Sequence, residues 1–330
     1  MFVPSFYGLA LFMMILSMMA WGSWVNVHKL CKNWRFELLY WDYVGGILIC
    51  SVIVGMTLGS TDPGSADSFT QNLRVASTTH YAWALGAGAL YNLANILVVA
   101  AISVAGMAVA FPVGIGMALV IGCLLNYILK PVGNPWFLFG GLTLVCLAIV
   151  LDAVAYRKRS TSFAVSRKGL VLSIVGGFLM GLFYPFVVKA TTGEGCLGPY
   201  TVSFVFAVGI TLSNFPLNYL SMRFSPMGPP LAFKDYLAGS RSSHFWGLVG
   251  GVVWMIGTMS NYVASYAQMV GPATSYTIGQ GSTMVGTIWG VFVWKEFRGA
   301  GRNVRILLGL MFAFFITGLG CVALAPVIKP

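Results

Sequence analysis

The sequence predicts an all-α polytopic membrane protein whose ten transmembrane helices form two inverted five-helix repeats. Three observations support this fold class: the composition, the number of apolar runs, and a similarity between the two halves of the chain. Of the 330 residues, 58% are hydrophobic and 8% are charged, and the mean hydropathy is +0.84. A soluble domain carries about 25% charged residues. The chain therefore has too little charge to cover a surface that faces water.

Ten apolar runs are long enough to cross a bilayer, since a spanning helix needs about 20 mostly apolar residues. In chain order they cover residues 5–27, 42–60, 81–102, 105–129, 136–156, 168–190, 199–222, 243–268, 272–294 and 303–325. The gaps between the runs are short. They leave no room for a separate soluble domain.

The charged residues predict how the chain is oriented in the membrane. Lys and Arg total 19 against 8 Asp and Glu, and 15 of the 19 lie in odd-numbered gaps. These are Lys29, Lys32, Arg35, Arg157, Lys158, Arg159, Arg167, Lys168, Arg223, Lys234, Arg241, Lys295, Arg298, Arg302 and Arg305. Basic loops stay in the cytoplasm, so we expect an integral protein of the cytoplasmic membrane with both termini outside. The basic residues form no clustered patch on a soluble face, which argues against a nucleic-acid partner.

The two halves of the chain resemble each other. Residues 83–130 align with 246–295, and the alignment matches Trp83 with Trp246, Gly88 with Gly251, Ala101 with Ala264 and, after a two-residue shift, Gly114 with Gly279 and Gly116 with Gly281. Each half has five spans, an odd number, so the second half enters the membrane from the opposite side. We therefore expect one inverted repeat over residues 1–160 and another over 161–330, with a solute site where they meet.

Polar and aromatic residues recur at helical spacing in four of the runs. The stripes are Ser17, Trp21, Trp24 and His28; Tyr91, Asn92 and Asn95; Trp254, Thr258, Asn261, Ser265 and Gln268; and Tyr276, Gln280, Thr283 and Thr287. Such faces suit a cavity in which rings stack on a solute and amides fix it by hydrogen bonds. We expect the solute to contact Trp21, Asn92, Asn95, Trp254, Asn261, Tyr276 and Gln280. Two alternatives to a solute site stay open: close helix packing for the small polar residues, and an interfacial aromatic belt for the tryptophans.

Few ionisable residues lie in or beside the runs, and an acid in a membrane span is a candidate proton relay. They are Glu37, Asp42, Asp152, Lys189 and Glu194. Asp42, at the start of the second run, is the preferred candidate. The alternative is an interfacial acid that is paired with Lys29, Arg35 or another base.

Several motifs are missing from the sequence. It has no phosphate-binding G-x-x-x-x-G-K-[ST], no H-E-x-x-H and no G-x-S-x-G, which argues against an ATP-driven pump, a zinc protease and a hydrolase. Three histidines and six dispersed cysteines give no metal-site spacing. We therefore expect neither an enzyme nor a protein that carries a cofactor or metal.

Motifs from both halves carry a family resemblance: AWGSW (20–24), WRFELLYWDY (34–43), YNLAN (91–95), LLNYIL (124–129), GLFYPFVVKAT (181–191) and GQGSTMVGTIWGVFVWKEF (279–297). With these motifs the chain resembles the drug/metabolite transporter superfamily, in particular the bacterial glucose/rhamnose porter group and the plant ureide permeases. The resemblance implies proton-coupled uptake of a monosaccharide or of a ureide- or nucleobase-like solute. It also implies a cavity at Trp21, Asn92, Asn95, Tyr276 and Gln280, with ion coupling at Glu37 and Asp42. The long central loop of the plant permeases is absent here.

Together these features predict a secondary transporter that takes up a small polar solute, a monosaccharide first of all, by proton-coupled alternating access. The alternatives are uptake of a ureide- or nucleobase-like solute, efflux of drugs or metabolites, and a membrane scaffold without transport. The choice of solute, the choice between proton and sodium, and the oligomeric state stay open at this stage.

Overall fold

The computed structural model describes residues 1–31, 34–62, 64–65, 67–106, 110–159, 167–224 and 228–328, and the side chain of Phe111 is not among the parts described. Two of the basic residues counted above, Lys32 and Lys329, lie outside these ranges. So do residues 107–109 of the predicted fourth run.

Throughout the described ranges the regular structure is helical, without strands. The ten main helices are α1 Tyr7–Ser23, α2 Phe36–Met56, α3 Thr78–Ala105, α4 Gly116–Leu129, α5 Pro135–Arg159, α6 Arg167–Ala190, α7 Pro199–Phe224, α8 Arg241–Tyr266, α9 Pro272–Gln280 and α10 Arg302–Leu324. Short helices cover Val27–Leu30, Phe69–Val75 and Phe233–Leu237, and a π-helical turn at Phe111–Ile115 leads into α4. Nine helical stretches in the described ranges are long and apolar enough to cross a membrane. The predicted polytopic helical fold is confirmed, whereas the arrangement as a ten-helix inverted repeat stays a prediction.

The predicted run 272–294 is helical, but it is not one helix. It consists of α9, a second piece at Ser282–Ile288 and a π-helical turn at Trp289–Val293. The break lies at Gly281, whose amide donates to the Ile278 carbonyl, while the Met284 amide donates to the Gly281 carbonyl. Both bonds span three residues where an α-helix spans four. The run is therefore discontinuous near its middle.

The second run begins earlier than predicted, at Phe36 and not at residue 42. Of residues 36–41 only Glu37 is charged, and it lies in the first turn of α2, where it pairs with Arg35 just before the helix.

Two helix crossings in the bundle share one geometry. A β-carbon added at Gly46 of α2 would lie 2.2 Å from the Leu248 carbonyl oxygen of α8, and one at Gly251 would lie 1.9 Å from that of Tyr43. In the crossing of α7 with α3, a β-carbon added at Gly209 would lie 2.4 Å from the Leu85 carbonyl oxygen, and one at Gly88 would lie 2.2 Å from that of Phe206. All four residues of the first crossing have a counterpart 163 positions away in the second, as with Gly46 and Gly209 or Gly88 and Gly251. Only glycine lets backbones approach this closely.

Five further helix pairs follow the same correspondence. Helix α3 packs on α6 as α8 packs on α1, α4 packs on α6 as the broken ninth segment packs on α1, and α5 packs on α10. When every helix number is shifted by five, so that α3 becomes α8 and α6 becomes α1, each of these pairs corresponds to another observed pair or to itself. This pattern supports the predicted repeat.

The buried apolar side chains form two clusters. One is built mainly by α2, α3, α6, α7 and α8, and the other mainly by α4, α5, α10 and the broken ninth segment, with α1 contributing to both. Each cluster draws on both halves of the sequence. The division into repeats 1–160 and 161–330 stays a prediction. It divides the sequence and not the volume of the bundle, because helices from the two halves interleave in space.

Candidate functional site

A cavity of about 200 Å³ lies in the middle of the bundle, between α1, α3, α6, α8 and the broken ninth segment. It extends toward the end of the bundle at which the gaps after α1, α5, α7 and α9 carry most of the basic residues, here called the basic end. Sites for drug-sized ligands measure roughly 300–1,000 Å³. The space suits a small solute.

Aromatic rings form one wall of this central cavity. The rings of Trp21 and Trp254 are stacked at 6.2 Å between centroids, and Tyr91 lies 4.5 Å from Trp254. Trp21 is held in place because its indole N–H donates to the Thr258 hydroxyl at 3.0 Å. Trp21 and Trp254, which were predicted to contact the solute, thus lie in the wall of the cavity. Trp21 is 9% exposed, so it does not lie in an interfacial belt.

On the α3 side the wall carries the Asn95 amide, which lines the cavity. Asn95 Nδ2 donates to the Tyr40 hydroxyl at 3.1 Å, and that hydroxyl donates to Asn92 Oδ1 at 2.9 Å. Asn92 in turn donates to Ser213 Oγ at 2.9 Å. Asn95 therefore borders the solute space, whereas Asn92 is fully buried behind it and holds Tyr40 in position. Tyr40 was not identified as a site residue from the sequence, where it lies in the motif WRFELLYWDY just before the predicted second run.

Beside the aromatic wall, where Gly279 borders the Trp21 ring, the break in the ninth segment supplies polar groups. Gln280 is the last residue of α9, and Ser282, Thr283 and Gly286 follow it, all of them lining the cavity. A helix interruption presents backbone groups that are not used by the helix itself. Gln280 thus lines the cavity, and its contact with solute stays a prediction.

Besides Asn92, two of the predicted solute contacts lie away from the cavity. Asn261 is fully buried, accepts from the Tyr184 hydroxyl at 2.6 Å, and donates to Ser17 Oγ at 3.1 Å and to the Ser275 carbonyl at 2.9 Å. Tyr276 is also fully buried and donates to the Ala118 carbonyl at 3.0 Å. Both residues join helices to one another. The periodicity of their stripes placed them on a buried face but did not show what that face contacts.

A layer of aromatic residues separates the central cavity from a second cavity of about 420 Å³ at the opposite end. Phe183 lines the first cavity, and its neighbour Tyr184 lines the second. The Tyr184 ring lies 5.1 Å from Tyr276 and 5.4 Å from Tyr262 between centroids. The structure therefore has space on both sides of a closed layer.

The two predicted coupling acids lie outside the central cavity, toward the basic end. Glu37 is fully buried and pairs with Arg35. Asp42 is 6% exposed, lies 2.8 Å from Nδ1 of His244 and accepts from the Tyr236 hydroxyl at 2.8 Å. Burial and the hydrogen bond to Asp42 raise the pKa of Tyr236, which belongs to the short helix Phe233–Leu237. Asp42 therefore has a base as partner, as the alternative interpretation expected, and that base is His244.

A different acid, Asp152 of α5, lies beside the broken segment. It is 2% exposed and accepts from the Thr287 hydroxyl at 3.0 Å. The sequence did show it as an acid inside an apolar run. What the sequence did not show is its contact with the ninth segment, because that contact depends on the packing of helices far apart in the chain.

None of the described residues that line the central cavity is charged. A buried charged solute is commonly held by opposite charge or a metal, and the described residues contain no cluster of three or more His, Cys, Asp or Glu that could hold a metal. The combination of stacked rings and neutral amides suits an uncharged solute with several hydroxyl or amide groups.

Comparison with known proteins agrees with this chemistry. The family model described as "Sugar transport protein" matches residues 12–325. The chain is 24% identical to ureide permease 2 of Arabidopsis thaliana, over 96% of this chain and 97% of that protein. It is 26% identical to glucose uptake protein GlcU of Staphylococcus xylosus, over 90% and 92%. These relatives are transporters and not enzymes, as the sequence predicted for this chain.

A solved crystal structure, described simply as that of a protein, shares the fold with a TM-score of 0.62 and 12% identity, over 94% of this chain and 97% of the other. The family match spans nearly all of the sequence and contains every residue named in the central cavity. The chain belongs to the sugar transport protein family.

Proposed function

We propose that this protein is a secondary transporter that takes up a small, uncharged, polar solute, with a monosaccharide as the first candidate. The central cavity carries this proposal, because Trp21, Tyr91 and Trp254 offer ring faces while Asn95 and Gln280 offer amides. A pyranose has apolar faces that stack on aromatic rings and a rim of hydroxyl groups that exchange hydrogen bonds with amides.

The mechanism we propose is alternating access with proton coupling. The central cavity extends toward the basic end, while the aromatic layer around Tyr184 closes it from the second cavity. Under the positive-inside rule the basic end is cytoplasmic, so this conformation faces inward. Solute from outside would enter the second cavity and pass when the layer opens and the inner side closes.

A ureide is the second candidate solute, since ureide permease 2 is among the relatives. Ureides are flat and uncharged, and they carry amide donors and acceptors that the same cavity groups can pair with.

The test is solute counterflow in proteoliposomes that contain the purified protein. Vesicles loaded with unlabelled D-glucose should take up trace radiolabelled D-glucose much faster than protein-free vesicles. A protein that exchanges allantoin but neither glucose nor rhamnose would instead support the ureide alternative. Counterflow of amphipathic drugs alone would favour efflux, and failure to exchange any of these compounds would favour a scaffold.

A further inference from the structure

Asp152 is a buried acid without a basic partner among the described residues. Three other acids near the basic end each have one, since Glu37 pairs with Arg35, Asp42 with His244 and Glu296 with Lys29. Among the described residues, the one hydrogen bond to the Asp152 carboxylate comes from Thr287 Oγ1 at 3.0 Å. A single hydroxyl is a weak substitute for water or a cation around a carboxylate.

This arrangement makes the ionised and the protonated forms of the Asp152 carboxyl group unequal in free energy. Removing a carboxylate from water costs several kcal/mol, and a nearby cation ordinarily offsets that cost. Here the described chain supplies no such cation, so binding a proton relieves the cost. A buried acid left in this condition inside a membrane protein is typical of proton-translocating sites.

The groups around Asp152 lead toward the basic end. Tyr156 lies one turn further along α5 and donates to Glu296 Oε2 at 3.0 Å, and Glu296 pairs with the exposed Lys29. Helix α10, packed on α5, brings Arg302 and Arg305 in its first turn, but neither forms an ion pair with Asp152. Helix α4 carries Cys123 and Tyr127, but both lie toward the opposite end of the bundle, where Tyr127 packs against Phe139. The surface that a proton would reach is therefore the cluster of Tyr156, Glu296 and Lys29.

Thr287 connects Asp152 to the central cavity. Its hydroxyl lies 3.0 Å from Asp152 Oδ1 and 3.1 Å from the Thr283 carbonyl oxygen, and Thr283 lines the cavity. A hydroxyl has one proton to donate, so Thr287 can serve only one of these acceptors at a time. It donates to Asp152 when that group is a carboxylate. When Asp152 is protonated, its own O–H can donate to Thr287, which leaves the Thr287 proton for the Thr283 carbonyl.

We propose that Asp152 is the proton-binding site of the transporter, and that Thr287 passes its protonation state to the broken ninth segment. The proposal rests on the proposed uptake function. In each cycle the carboxylate takes up one proton from one side of the membrane and releases it on the other, while a neutral solute crosses with it. The discontinuity at Gly281 and the π-helical turn at Trp289–Val293 are the places where the segment can respond.

The experiment compares Asp152→Asn with wild type in proteoliposomes at zero membrane potential, using radiolabelled D-glucose, or allantoin if that is the better counterflow substrate. With one proton per solute, an inward gradient of one pH unit drives about tenfold accumulation. We expect wild type to approach that ratio and to acidify the vesicle interior, as reported by a trapped pH dye. With Asp152→Asn, the solute concentrations inside and outside the vesicles should reach a ratio of about one, without acidification. The counterflow rate of this variant should stay within about twofold of wild type.

Matched variants separate coupling from structure. Asp152→Glu restores a titratable group and should restore accumulation, and Asp67→Asn, at an exposed acid in the loop between α2 and α3, should keep it. Thr287→Val should reduce accumulation more than counterflow, whereas Thr287→Ser should behave like wild type. If Asp152→Asn cannot be purified folded, the Thr287 pair decides the question: equal accumulation by Val and Ser variants would contradict the proposal.

The outcomes distinguish this inference from the proposed function. Wild-type protein that fails in counterflow sinks the uptake function itself. Three outcomes overturn only the role of Asp152. The wild-type protein shows counterflow but no gradient-driven accumulation; the Asp152→Asn variant still accumulates solute; or that variant is folded but has lost counterflow as well.

Discussion

At the scale of single residues, the structure separates amides that face the central cavity from amides that hold helices together. Gln280 and Asn261 were both predicted to contact solute, because both lie in polar stripes. Gln280 lines the cavity, whereas Asn261 is fully buried and bonded to Tyr184, Ser17 and Ser275. The two residues should therefore respond differently to substitution.

We expect Gln280→Ala to impair transport while the protein reaches the membrane in normal amounts. One hydrogen bond to solute contributes about 1.5 kcal/mol, so the KM for uptake should rise roughly tenfold. Gln71→Ala, in the helix Phe69–Val75 outside the spans, is the control. Unchanged uptake kinetics for Gln280→Ala would rule out a solute contact.

Asn261→Leu should instead lower the stability of the protein. Three groups on other helices lose a partner, and each buried polar group left unpaired costs about 1–3 kcal/mol. Thermal unfolding in detergent should occur at a temperature lower by on the order of 5 °C, a larger shift than for Gln280→Ala. An unfolding temperature equal to that of wild type would contradict the packing role.

The sequence could show which residue types lie on a helix face, but not which neighbour that face meets. Spacing identified Trp21, Asn95, Trp254 and Gln280, all of which line the cavity. The same spacing included Asn92, Asn261 and Tyr276, which do not. For the acids, the sequence favoured Asp42 by its position but could not show its partner His244, which is 202 positions away in the chain.

At the scale of helices, the glycine crossings determine how closely the elements approach. Gly46 leaves no space for a β-carbon, since one would lie 2.2 Å from the Leu248 carbonyl oxygen. The adjacent Gly45 would place its β-carbon 3.5 Å from the flexible end of the Leu248 side chain, which is ordinary contact. The two neighbours form a matched pair for substitution.

We expect Gly46→Ala to separate α2 from α8 and to destabilise the protein, by about 1–3 kcal/mol for overpacking at a tight site. Gly45→Ala should be tolerated. The measurement is the amount of monodisperse protein that survives gel filtration after mild heating in detergent. Equal survival of both variants would mean that the crossing can relax.

The break in the ninth segment shows the limit of hydropathy for predicting elements. An average over the run 272–294 is apolar enough for one helix, but it does not register the change in hydrogen bonding at Gly281. A glycine beside polar residues in a membrane run is the local signal. In a chain with 40 glycines that signal alone does not distinguish a break from close packing.

At the scale of the whole molecule, the distribution of basic residues predicts that both termini lie outside. A C-terminal fusion to alkaline phosphatase should be active, and a C-terminal fusion to green fluorescent protein should be dark. The same reporters inserted after Arg159, in a gap predicted to be cytoplasmic, should give the opposite result. Fluorescence from the C-terminal fusion would reverse the orientation and, with it, the side to which the central cavity faces.

The two interleaved apolar clusters have a consequence for how the protein is made. Helices α2 and α3 pack mainly on α6, α7 and α8, so the first half enters the bilayer before its partners exist. At 5–20 residues per second, synthesis of the second half takes roughly ten to thirty seconds. During that interval the polar side chains of Asn92 and Asp152 lack the partners that Ser213 and Thr287 later provide. Until translation is complete, the nascent first half therefore holds polar side chains in the membrane without their final partners.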